Sequence, residues 1–166
     1  AEQGGGVILC LSHEIDIAYW LFGKPSKVYT LGGHLSDLEM DVEDTTDIML
    51  TCRDSNRDFP VHVHLDFLQK PCRRYIHIAG DKGSIIFDYN TNELEVSLLP
   101  DGDTEKTMYD KFQRNDMFVN EVADFINSVK TNSVPPIPLE QGITVLEICL
   151  AAKESLNKDQ VVKIYE

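Results

Sequence analysis

The sequence has no apolar run long enough to cross a bilayer. No basic residue precedes its first apolar stretch, so the N-terminus does not read as a secretion signal. Positive charge is scarce: 15 Lys and Arg stand against 28 Asp and Glu, a formal net charge of −13. That surface would repel the phosphates of a nucleic acid, so nucleic acid is excluded as a partner, and an anionic membrane surface is disfavoured. A local basic pocket for a small anion is not excluded. Cysteine is sparse too. Cys10, Cys52, Cys72 and Cys149 contain no C-x-x-C pair and are too few for a disulfide scaffold. Reduced thiols in a cytoplasmic protein are expected. There is no internal repeat and no low-complexity tract.

What is there is one domain's worth of chain, 166 residues with 42% hydrophobic and 26% charged content, enough to bury a substantial core. Residues 7–22 read as a helix with an irregular first turn. Ile8, Leu11, Ile15, Ala18 and Phe22 form one stripe, and Cys10, His13, Asp16 and Trp20 a second face. Gly23 and Pro25 stop it. Strands are expected at 26–34, 45–53, 60–69, 73–79, 84–88 and 93–99. In the clearest, Val61, Val63, Leu65 and Phe67 alternate with His62, His64 and Asp66, the pattern of a sheet with one packed and one polar face. Asp81-Lys82-Gly83 reads as a hairpin turn and Pro100-Asp101-Gly102-Asp103 as another turn. Helices are expected at 115–129 and 139–156, joined by a segment with three prolines, and a final strand at 161–165. The layout is α+β: an open, largely antiparallel sheet with helices packed on one face, two layers in all.

Four groups of residues invite a chemical reading. Gly4-Gly5-Gly6 lacks the spacing of a dinucleotide fingerprint and of a phosphate loop. It is either a flexible start to the helix or a place where backbone approaches a ligand. Cys10, His13 and Asp16, three apart, share a helix face. There His13 suits general acid–base work with Asp16 orienting it, or the group simply hydrogen-bonds to neighbours. Three ligands from successive turns rarely converge on one ion, and no metal site is expected. His62, His64 and His77 are expected on one face of adjacent strands, as a polar or subunit-facing surface. The segment Gln69-Lys70-Pro71-Cys72-Arg73-Arg74 is the most basic in the chain and is either an anion contact or a solvated turn.

Together these segments resemble one family, the glucose–fructose oxidoreductase, inositol dehydrogenase and rhizopine-catabolism group (Gfo/Idh/MocA). The resemblance runs the length of the chain. It is carried by Gly4-Gly5-Gly6-Val7 through His13-Glu14-Ile15-Asp16 and Trp20-Leu21-Phe22-Gly23, by Asp41-Val42-Glu43-Asp44-Thr45, and by Leu65-Asp66-Phe67-Leu68-Gln69. Gly80-Asp81-Lys82-Gly83-Ser84-Ile85 and Arg114-Asn115-Asp116-Met117-Phe118 with Glu121 complete it.

The resemblance implies that residues 1–166 are the substrate-binding and dimerisation domain of a longer protein, with a glyceraldehyde-3-phosphate-dehydrogenase-like C-terminal fold. The family's N-terminal Rossmann half, with its Glu-Lys-Pro lysine, is expected to lie outside this chain. It implies an NAD(P)-dependent oxidoreductase acting on a sugar, amino sugar or nucleotide sugar, with His13 as the catalytic acid/base. Cys10, Asp16, Gln69, Arg73 and Asn115 are expected to bind or support substrate, and Gly5 and Gly6 to lie near the cofactor. NAD or NADP belongs to the full-length protein; this piece alone is expected to bind none and to be inactive. A homo-oligomer through the open sheet face is implied. Many members carry Asp where this chain has Cys10. That departure supports the alternative, a ligand-binding or dimerisation module without chemistry.

Overall fold

The computed structural model describes residues 4–100 and 102–165. Asp101, within the turn expected at 100–103, lies outside them. The chain divides into two compact units. One holds the residues up to Leu68 and those from Ile137 onward; the other is Gln69–Pro136.

The first unit begins with α1 (Val7–Cys10) and α2 (Ser12–Phe22). The expected helix is thus broken at Leu11 (φ −108°, ψ 30°). Its apolar stripe is the expected one: Ile8, Ile15 and Ala18 are buried, and Phe22 meets Phe59 edge-on at 5.7 Å. Gly23 closes α2 with its N–H on the Tyr19 carbonyl at 2.8 Å, and its φ of 77° suits glycine. Three strands follow, β1 (Lys27–Gly33), β2 (Thr45–Arg53) and β3 (Asp58–Asp66). The chain returns to this unit through α4 (Leu139–Lys158) and the short β8 (Val162–Lys163). The antiparallel sheet runs β3-β2-β1-β8.

Alternation along these strands sets the core. Val28, Ile48, Leu50, Cys52, Val63 and Leu65 turn inward against Val7, Ile8, Ile15, Val145, Ile148, Cys149 and Ala152 of the helices. Each large aliphatic side chain buried this way contributes about 1.5–3 kcal/mol. The opposite face carries Leu31, Asp47, Met49, His62 and His64, all exposed. The end of α4 is pinned to β1 by Ser155, whose hydroxyl accepts the Thr30 N–H at 3.0 Å and donates to the Gln160 carbonyl at 2.6 Å.

The second unit is a meander of β4 (Tyr75–Gly80), β5 (Gly83–Asp88), β6 (Glu93–Leu98) and β7 (Thr104–Met108), followed by α3 (Arg114–Thr131). Its strands pair in sequence order, all antiparallel. The hairpin expected at Asp81-Lys82-Gly83 is present, with Gly80 opposite Gly83. A Cβ at Gly83 would overlap the Ser97 carbonyl of β6, so the strand crossing demands glycine there.

Three expectations are corrected. Among the described residues the strands form two four-stranded sheets, not one: β3 ends at Asp66, and β4 pairs there only with β5. His77 lies in the sheet of the second unit, and His62 and His64 lie in that of the first. Phe67 falls beyond β3 and is exposed, instead of joining the inward row. Along α3, Met117, Val119, Val122, Phe125, Ile126 and Val129 are exposed, and only Ser128 is buried.

Candidate functional site

A cleft of about 320 Å³ opens in the first unit where the start of α2 faces α4. Leu9, Ser12, His13 and Asp16 form one wall; Ile137, Gln141, Gly142, Val145, Leu146 and Cys149 form the other. A half-exposed imidazole (51%) meets solvent here, 3.2 Å from the Glu14 carboxylate at Nε2. Polar groups that suit a small hydroxylated ligand gather beside it: the Ser12 hydroxyl, the Asp16 carboxylate and the Gln141 amide. Cys149 is the cleft's thiol. Burial pushes it up to about 11, and the charge of Asp16 adds to the effect, so the thiol stays protonated at neutral pH.

The residues expected at the site fall in both units. His13 and Asp16 share the cleft. Cys10 is not among the residues that line it; it is exposed at the end of α1, before the break at Leu11. Gln69, Arg73 and Asn115 belong to the second unit and are exposed. Gln141 and Cys149 were missed, since nothing in their own segment marks them beyond a spacing of eight, two steps of four, along a helix.

Gly5 and Gly6 form a tight turn into α1 with φ of 100° and 83°. The group that presses on Gly6 belongs to the protein itself: a Cβ there would overlap the buried carboxylate of Glu43. A dinucleotide pyrophosphate has no room on that side of Gly6, which the carboxylate fills. Nor do the described strands, all paired antiparallel, form a βαβ cradle. Among the described residues no cluster of three or more His, Cys, Asp or Glu side chains is arranged to hold a metal ion. No helix among them is long and apolar enough to cross a membrane.

On the open face of the first sheet a second polar group assembles. Asp47 Oδ1 lies 2.9 Å from both His62 Nε2 and His64 Nδ1, and His64 Nε2 is 3.1 Å from Asp66 Oδ2. The hydrogen bond to Asp47, outweighing partial burial, raises His64 above its usual range; that from His64 lowers Asp47.

Known proteins share this architecture. The chain is 28% identical to the myo-inositol 2-dehydrogenase of Thermotoga maritima, over 98% of this chain and 50% of that protein. It superposes on levoglucosan dehydrogenase, solved in complex with NADH and levoglucosan, with a TM-score of 0.80 at 20% identity, over 94% of this chain and 49% of that one. It superposes on UDP-N-acetylglucosamine 3-dehydrogenase from Acidithiobacillus ferrooxidans with a TM-score of 0.75 at 18% identity, over 92% and 47%. The chain thus spans about half the length of these relatives. Residues 1–164 match the C-terminal alpha/beta domain of the Gfo/Idh/MocA oxidoreductases, and with that match the chain belongs to this oxidoreductase family.

Proposed function

We propose that this chain is the substrate-binding and proton-transferring half of an NAD(P)-dependent oxidoreductase acting on a sugar, amino sugar or nucleotide sugar. The observation that carries the reading is His13, half-exposed in a cleft it shares with Ser12, Asp16 and Gln141. The relatives named above are dehydrogenases of myo-inositol, levoglucosan and UDP-N-acetylglucosamine, all polyhydroxy compounds. Oxidising a secondary alcohol to a ketone requires that the hydroxyl lose its proton as the carbon loses a hydride. An imidazole held at the substrate hydroxyl takes that proton. Ser12, Asp16 and Gln141 supply hydrogen bonds that would fix the sugar against His13.

The nicotinamide cofactor, NAD or NADP, accepts the hydride in the full-length protein. The relatives are about twice as long as this chain, which supports a cofactor-holding domain outside residues 1–166, and those residues alone are expected to be inactive. The competing reading, a module without chemistry, rested on Cys10 in place of Asp. Cys10 is absent from the cleft lining, which supports the reading with chemistry over that alternative. We also assign self-association to the open face of the first sheet, where Leu31 and Met49 are exposed beside the His62–Asp47–His64 group. Four unpaired cysteines suit a reducing compartment, and we place the protein in the cytoplasm.

The test is cofactor-linked turnover by the full-length protein on a panel of polyols, hexoses, amino sugars and nucleotide sugars. Reduction of NAD or NADP with at least one class is the expected result. Tight cofactor binding with no turnover on any of them would return the reading to a module without chemistry.

A further inference from the structure

A buried carboxylate and a partly buried ammonium meet at the glycine turn, and the chemistry above uses neither. Glu43 is buried in the loop before β2. Its carbonyl accepts the Val7 N–H at 3.0 Å, and its carboxylate fills the space beside Gly6. Lys153 Nζ lies 3.1 Å from both carboxylate oxygens and donates to the Gly5 carbonyl at 3.3 Å. Lys153 stands on α4, four residues beyond Cys149. Gln141, Val145, Cys149 and Lys153 follow one another at intervals of four and so share a helix face. The first three wall the cleft opposite His13; the fourth grips the turn from which the His13 segment starts.

We infer that Glu43 and Lys153 are a positioning pair that fixes the Gly5–Gly6 turn and, through it, the placement of His13. This rests on the reading of His13 as the proton acceptor. α1 is a single turn and ends at the Leu11 break, so it has too few hydrogen bonds of its own to hold an orientation. Its direction is set from outside, by the Glu43 carbonyl on Val7 and by the Lys153 ammonium on Gly5. An ion pair with one buried partner adds little net stability compared with apolar packing, but removing Lys153 strands the buried Glu43 charge. The pair's contribution is one defined geometry for the turn, with the imidazole set against the α4 wall.

The experiment uses the full-length protein with Lys153→Met, Glu43→Gln, Lys153→Arg and His13→Ala. Amide exchange over residues 7–13 is read alongside kcat, KM and the thermal melt. In Lys153→Met, exchange over these residues accelerates about tenfold or more. Its kcat falls about tenfold or more while KM stays within about twofold, and Lys153→Arg restores most of both. Glu43→Gln keeps the side-chain volume and gives the same split should Lys153→Met fail to fold. Wild-type exchange in a folded Lys153→Met or Glu43→Gln overturns the inference. So does a lowered melting temperature with kcat intact. An undiminished kcat in His13→Ala would defeat the proton-acceptor reading instead, whatever the exchange data show.

Discussion

At Gly6 the backbone turns with φ of 83° against a buried carboxylate, and a methyl group has nowhere to go. Gly6→Ala is expected to cost at least about 1–3 kcal/mol from the strained backbone alone; urea unfolding reads it, and an unchanged midpoint would refute the close approach. The thiols differ in the same local way. Cys10 and Cys72 are exposed, whereas burial pushes the Cys52 and Cys149 thiols up. Alkylation at neutral pH should label Cys10 and Cys72 first and leave Cys149 unmodified until the protein unfolds, which peptide mass mapping checks. His13 and Asp16 were legible in the sequence because a helical spacing of three survives within α2. Glu43 and Lys153 were not: a contact between residues far apart in the chain leaves no local pattern.

Asp44 shows how one side chain shapes an element. It accepts the Ser36 hydroxyl at 2.6 Å and the Leu35 and Ser36 N–H groups at 2.9 and 3.1 Å, with His34 Nδ1 3.0 Å away. These bonds, the Ser36 hydroxyl foremost, hold its carboxyl at about 2, below the usual 3.8. A lowered folded value means the stabilisation is present above about pH 4 and is lost as pH falls toward 2. Asp44→Asn should melt lower than wild type at neutral pH, with the gap closing in acid; a constant gap would contradict the assignment. His64 runs the other way. Its raised folded value means its ion-pair stabilisation is present below its usual range near 6.5 and fades as pH rises through the raised value. On an exposed face the effect is small. The strands of the first sheet were legible because one face is buried and period-two alternation records it. Strand β7 was not, since every residue from Thr104 to Met108 is exposed and hydrogen bonds to β6 alone define it. The break at Leu11 was legible only as an irregular first turn, because the apolar stripe continues across it.

Over the whole molecule, the family was legible and the division into two sheets was not. Motif order survives in sequence, while strand pairing is decided by register between distant segments. The core of the first unit is expected to dominate its stability. Ile48→Ala should cost about 2–5 kcal/mol by chemical denaturation. If the open face joins two copies, replacing Leu31 and Met49 together by Asp should leave a monomer in sedimentation; an unchanged mass would remove that face from the assembly. The central claim is that His13 takes the proton from a sugar hydroxyl. The most direct measurement is kcat for cofactor-linked oxidation by the full-length protein, wild type against His13→Ala, on a substrate it turns over. A fall of about 100-fold or more, with the variant folded, is the predicted result; an unchanged kcat would contradict it.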